Sequence, residues 1–178
     1  MASTSSFDVV SDFDRQELVN AVDQLKREII QRYDLKDTNT EVELEEASLT
    51  ITTESDMTLQ AIEDVLRQKA VKRNLSLKIF DFQTPETSAG NRVLQRVLLK
   101  KGIPQDIAKK LSKEIRNEFK KINVSIQGDS LRVVSKNKDE LQSVISFLRR
   151  KEDELNLPLQ FDHYSLLHLI YFNIVWDL

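Results

Sequence analysis

At 178 residues, with 40% hydrophobic and 31% charged, the chain has room for one medium or two small folded domains and is too apolar to be disordered along its length. It has no cysteine, which excludes a disulfide framework, a thiol nucleophile and a Cys-ligated zinc, and fits a reducing compartment. A net charge of −3 hides an asymmetry, 10 Lys+Arg against 18 Asp+Glu in residues 1–90 but 16 against 6 in residues 91–151, which points to a phosphate-bearing ligand on one half or else to a solvated basic face.

The opening MASTSSFDVV lacks a basic region followed by an apolar core, so no signal peptide is read and a cytoplasmic location is expected. Phe7 to Ser11 is a short apolar run expected to be a strand. Asp14 is expected to cap a helix with Glu17 at its third position, and Leu18, Val22, Leu25, Ile29 and Tyr33 recur at helical spacing. From Glu41 the period changes to two. Val42 and Leu44 alternate with Glu41, Glu43 and Glu45, and after a turn near Ala47-Ser48 come Leu49, Ile51 and Thr53, which makes a hairpin. Ser55 or Asp56 opens a second helix carrying Leu59, Ile62, Leu66 and Ala70 and ending in the cations Lys72 and Arg73. Leu75, Leu77 and Ile79 are expected to form a closing strand, giving the order βαββαβ.

Residues 83–91, QTPETSAGN, are polar and aperiodic and are expected to be a linker. The pattern then restarts. Arg92 to Lys100 is a strand, Pro104 sits at a helix start, and Ile107, Leu111, Ile115 and Phe119 form the stripe of that helix. Ile122, Val124 and Ile126 and then Leu131 and Val133 flank Gly128-Asp129, a two-residue loop with Gly first that suits a type II′ hairpin turn. Asn137 followed by Glu140 is expected to be a capping box for a helix with Leu141, Val144, Ile145 and Leu148, and Leu157 to Phe161 is the last strand. Two βαββαβ units predict an α+β protein of two tandem ferredoxin-like domains, each a four-stranded antiparallel sheet with two helices on one face. The expected organisation is an acidic domain over 5–82, the linker 83–91, a basic domain over 92–162 and an apolar tail over 163–178. Ser165 to Leu178 has 10 apolar residues in 14 and is too short to span a bilayer as a helix; it is read as a groove-packing or sticky extension, with a membrane- or partner-binding tail as the alternative.

Only three glycines, Gly90, Gly102 and Gly128, occur, so neither a Walker loop nor a dinucleotide fingerprint can be written. His163 and His168 lie in the tail without further ligands, and Glu45-Glu46 and Glu152-Asp153-Glu154 are adjacent in sequence and mostly point apart. No catalytic residue, metal or cofactor is therefore expected. What remains is cationic. Lys109, Lys113, Arg116 and Lys120 share a helix face, while Arg92, Arg96 and Lys100 share one side of a strand. On the strand after Gly128-Asp129, Arg132, Val134 and Lys136 lie opposite Leu131 and Val133. The strands lack aromatics at stacking positions, so the signature of an RNA-recognition sheet is not met. The expected phosphate-binding residues are Arg132 and Lys136, assisted by Lys100, Lys72 and Arg73.

The segments SFDVVSDFD at the start, TTESD at 52–56, VKRN at 71–74, LLKKGI at 98–103 and QGDSLRVVSKNKDELQ at 127–142, in that order, resemble the YajQ family of small bacterial proteins over residues 5–162. The resemblance implies that the two domains exchange their N-terminal strands, with Phe7 to Ser11 in the second sheet and Arg92 to Lys100 in the first. It also implies a non-enzymatic nucleotide-binding role, with cyclic di-GMP, GTP and tRNA among the ligands associated with relatives. Ser135 and Asp37 stand where the family often has glycine. The reading from a different class is a protein-interaction module whose basic lobe docks an acidic partner such as a transcriptional regulator.

Overall fold

A computed structural model describes residues 4–162, so the readings of His163, His168 and the apolar tail lie outside the described residues. In chain order the elements are β1 (Ser5–Val10), α1 (Arg15–Gln31), β2 (Glu41–Leu44), β3 (Ser48–Thr53), α2 (Asp56–Lys72), β4 (Phe80–Phe82) and β5 (Glu86–Ser88). There follow β6 (Arg92–Leu99), α3 (Gln105–Glu118), β7 (Asn123–Gln127), β8 (Ser130–Ser135), α4 (Lys138–Leu155) and β9 (Gln160–Asp162). The protein is α+β, with four described helices and two antiparallel sheets. It divides into two compact units, one of residues 13–101 and one of residues 4–12 with 102–162.

In the lobe of residues 13–101 the sheet order is β2-β3-β6-β4, with β5 folded back along β6. The Asp14 carboxylate accepts the N–H groups of Gln16 and Glu17 at 2.9 and 3.1 Å, satisfying two donors that have no partner within α1. Leu18, Val22, Leu25 and Ile29 of α1 and Leu59, Ile62, Leu66 and Ala70 of α2 bury against Leu49, Ile51, Val97 and Leu99 of the sheet. Two expectations are corrected here. Tyr33 is not part of the α1 stripe, because the backbone turns extended at Arg32 and leaves Tyr33 88% exposed with Lys36 over its ring. The closing strand is not Leu75 to Ile79: Leu75 and Ile79 are buried and Leu77 is 40% exposed, a spacing of about four that suits a helical turn. Leu77–Ile79 forms a 3-10 turn capped by the Ser76 hydroxyl, and the strand begins one residue later, at Phe80. The polar stretch 83–91 holds β5 and a tight return to β6 in which Gly90 and Asn91 take positive φ, 75° and 58°.

In the other lobe the sheet order is β7-β8-β1-β9, so β1 pairs with β8 and β9, while β6 pairs with β3 and β4 in the first sheet. Phe7 and Val9 of β1 lie in one core with Leu131 and Val133 of β8, Leu111 and Ile115 of α3, and Leu141, Val144, Ile145 and Leu148 of α4. Gly128 has φ 61° and Asp129 is not among the positive-φ residues, the combination a type II′ turn requires. Asn137 caps α4 by accepting the Asp139 N–H at 2.9 Å. The capping box takes a different form from the expected one. The Asn137 N–H donates to Ser135 Oγ at 3.1 Å and that hydroxyl donates to Glu140 Oε2 at 2.9 Å, so Glu140 reaches the cap through Ser135. Asn156, at φ 46°, ends α4, and the last strand is Gln160–Asp162.

Candidate phosphate-binding face

Alternation along β8 puts Leu131 and Val133 into the core and leaves Arg132, Val134 and, just past the strand end, Lys136 on the opposite face. Register adds Ser6 and Asp8 of β1 and Asn123 and Ser125 of β7 to that face, through the pairs Ser6↔Val134, Asp8↔Arg132, Asn123↔Val134 and Ser125↔Arg132. None of these residues is aromatic. A ligand here would therefore be held by charge and hydrogen bonds, without stacking on rings.

The two expected cations of this face differ in state. Arg132 donates from Nε and Nη2 to both carboxylate oxygens of Asp8, at 2.7 and 2.8 Å. That hydrogen bonding, and then the charge of Asp8, hold the guanidinium pKa above its ordinary value. The fork leaves the remaining N–H donors of the guanidinium for a ligand, while the pair as a whole is close to neutral. Lys136 is exposed and has no ion-pair partner among the described residues. It lines a groove of about 400 Å³ together with Lys121, Asn123, Ser135, Asn137 and Glu140.

Lys121 was not among the residues expected from sequence. It lies in the turn before β7, as Lys136 lies in the bend after β8, and both residues line the groove. Two ammonium groups lining one groove make it a place for an anion. The cap of α4 opens on the same groove through Asn137, so the positive end of the helix dipole adds to the two ammonium groups. Glu140 is the one carboxylate of the groove, and it accepts from the Ser135 hydroxyl. Ser135, at an ordinary negative φ, is thus used through its side chain.

The other expected residues belong to the lobe of residues 13–101. Lys72 is the exposed last residue of α2, Arg73 donates from Nη1 to Glu17 Oε2 at 3.4 Å, and the backbone N–H of Lys100 donates to the Ile79 carbonyl at 2.8 Å. Arg92 is structural: it donates to Glu41 Oε1 at 3.0 Å and to the Asn39 carbonyl, tying down the entry to β2. Arg116 likewise leaves the outer face of α3, donating to the Val124 carbonyl of β7 at 2.6 Å, while Lys109, Lys113 and Lys120 are exposed.

The carboxylates serve structure. Glu154 accepts from Lys110 at 2.8 Å and from Lys151 at 3.1 Å, and Glu152 accepts the Leu159 N–H at 3.2 Å. Among the described residues no group of three or more His, Asp or Glu side chains is placed to hold a metal ion, and no helix is long and apolar enough to cross a membrane.

A family model described as "Nucleotide-binding protein YajQ-like" matches residues 5–165. The chain is 71% identical over 164 residues to a protein of Prochlorococcus marinus (strain MIT 9211) named as a nucleotide-binding protein, covering 92% of this chain and 99% of the relative. With the same coverage it is 68% identical to one of Synechococcus sp. (strain CC9605) and 64% identical to one of Synechococcus sp. (strain JA-2-3B'a(2-13)), both also named as nucleotide-binding proteins.

Proposed function

The chain belongs to the YajQ-like family, and from that membership we propose that it is a non-catalytic regulatory nucleotide-binding protein whose phosphate site is the groove between Lys121 and Lys136. The observation that carries the proposal is a groove lined by two lysines and one carboxylate, an excess of positive charge that a phosphate would neutralise. Asn123 and Asn137 add amide groups beside the cations, and Glu140 offers an acceptor to a base N–H. Arg132 lies four residues from Lys136 along the strand direction, roughly 13 Å, so a ligand using both spans more than one phosphate. That reach suits an RNA strand, whose phosphates repeat along it, and cyclic di-GMP or GTP would occupy the Lys121–Lys136 end. On the lobe of residues 13–101, Lys72, Arg73 and Lys100 are proposed as phosphate-binding residues of that lobe. The pairing of β1 with β8 and of β6 with β3 supports reading the lobes as ferredoxin-like domains with exchanged first strands.

Calorimetric titration of cyclic di-GMP, GTP and tRNA against the wild type and Lys121→Ala/Lys136→Ala tests the site. At least a tenfold loss is expected for each ligand that the wild type binds. Unchanged affinity in the double variant refutes the site. A wild type that binds none of the three refutes the ligand class and favours docking of an acidic protein on the basic lobe.

A further inference from the structure

We propose that the free edge of β2, with the groove beside it, docks an extended basic segment of a partner protein by strand addition. β2 is the terminal strand of its sheet and pairs only with β3 among the described residues. The Glu45 N–H donates to the Ser48 carbonyl at 2.8 Å, and because inter-strand bonds alternate along an antiparallel pair, Glu43 and Glu41 also bond toward β3. Val42 and Leu44 therefore turn their N–H and C=O groups outward, where an added strand would meet them.

The side chains around this edge specify the strand that fits. Beside this edge, Lys26, Ile29 and Ile30 of α1 and residues 40–43 line a groove of about 360 Å³. Ile30 is 71% exposed there although it adjoins buried Ile29. On the face opposite Val42 the alternation of β2 presents Glu41 and Glu43, and Glu45 follows at the strand end. Glu41 is engaged by Arg92 at 3.0 Å, and Glu43 has no ion-pair partner among the described residues. A matching segment would alternate apolar side chains, laid toward Ile29 and Ile30, with Lys or Arg laid beside Glu43. Lys26 in the groove disfavours a cation on the inward positions and so sharpens the alternation.

The same charges argue against a second copy of this chain as the occupant. Antiparallel self-pairing centred on Glu43 sets Glu43 against Glu43 and Glu41 against Glu45, and centring on Val42 sets Glu41 against Glu43. Like charges directly opposite oppose either register, which is how exposed edges are kept from self-association.

Fluorescence polarisation with the full chain tests this, using a labelled octapeptide of alternating Val and Lys, its Val/Glu counterpart, and two Val/Lys versions N-methylated on one or the other alternate set of amides. The Val/Lys peptide is expected to bind and the Val/Glu peptide not to. Methylation of one set should abolish binding and methylation of the other should leave it, since only one set faces β2. Glu43→Lys and Ile30→Asp, both at exposed positions and checked for fold by circular dichroism, should each weaken binding at least tenfold. Equal binding of both methylated peptides, or unchanged affinity in Glu43→Lys, would overturn the proposal. So would a dimer in sedimentation that Glu43→Lys dissolves, because the edge would then belong to a second copy.

Discussion

Replacing Gly102 by alanine is expected to destabilise the lobe of residues 4–12 and 102–162 by about 2–3 kcal/mol. Gly102 has φ 79°, where an L side chain costs about 1–2 kcal/mol. A Cβ there would lie 2.7 Å from Asp129 Oδ2 and 2.9 Å from Asp129 Cβ. The carboxylate can swing away, but Asp129 Cβ moves only with its backbone, whose carbonyl accepts the Ile103 N–H at 2.8 Å while the Gly102 N–H donates to Ser11 at 2.7 Å. Losing one of these bonds adds about 1 kcal/mol. Gly90→Ala is the reference, since φ is a similar 75° and nothing lies within 4 Å of its Cβ, so it should show the conformational cost alone. Urea unfolding followed by circular dichroism gives the two free energies, and amide hydrogen exchange locates each loss in its lobe. Adding Asp129→Gly should recover the contact component of Gly102→Ala, about 1 kcal/mol, in a double-mutant cycle. If Gly102→Ala costs no more than Gly90→Ala, the close packing of the Gly128-Asp129 turn on Gly102 is not what restricts that position.

Three further outcomes are expected. For a single-stranded RNA, log affinity should fall linearly with log salt, and Lys121→Ala/Lys136→Ala should reduce the slope by about 1.4, at about 0.7 per phosphate contact; an unchanged slope places the phosphates elsewhere. Asp8→Asn should raise RNA affinity severalfold in calorimetry, because Arg132 then carries an uncompensated charge, and no change would remove Arg132 from the site. Lys110, and then Lys151, hold the Glu154 carboxyl below its ordinary value of 4.5 by hydrogen bonding and charge. A depressed carboxylate pKa means a stability contribution present above that ordinary value and lost as pH falls through the folded one. Wild type and Glu154→Gln should therefore differ in urea midpoint near neutrality and converge in acid below pH 4.5, whereas a constant difference across that range would assign the effect to packing.

The features legible from the chain alone are those set by neighbours in sequence. The caps at Asp14, Ser55 and Asn137, the stripe Leu18-Val22-Leu25-Ile29 and the alternation along β2, β3 and β8 follow from periods of 3.6 and two and from a few contiguous side chains. The two-residue turn at Gly128-Asp129 even determines the register, from Gln127↔Ser130 to Asn123↔Val134. The same periodicity misplaced Tyr33 and the strand after Leu75, because the backbone leaves the regular path at Arg32 and at Ser76. Alternation conveys which side chains of a strand point inward, not which strand lies beside it. Phe7 and Val9 would suit any sheet with one apolar face, and only the folded chain decides that they lie beside Val133 and Leu131. That choice also brings Asp8 to Arg132 across 124 positions of sequence and turns an apparently free cation into half of a forked pair, because charges separated so far along the chain meet only where strand pairing brings them together.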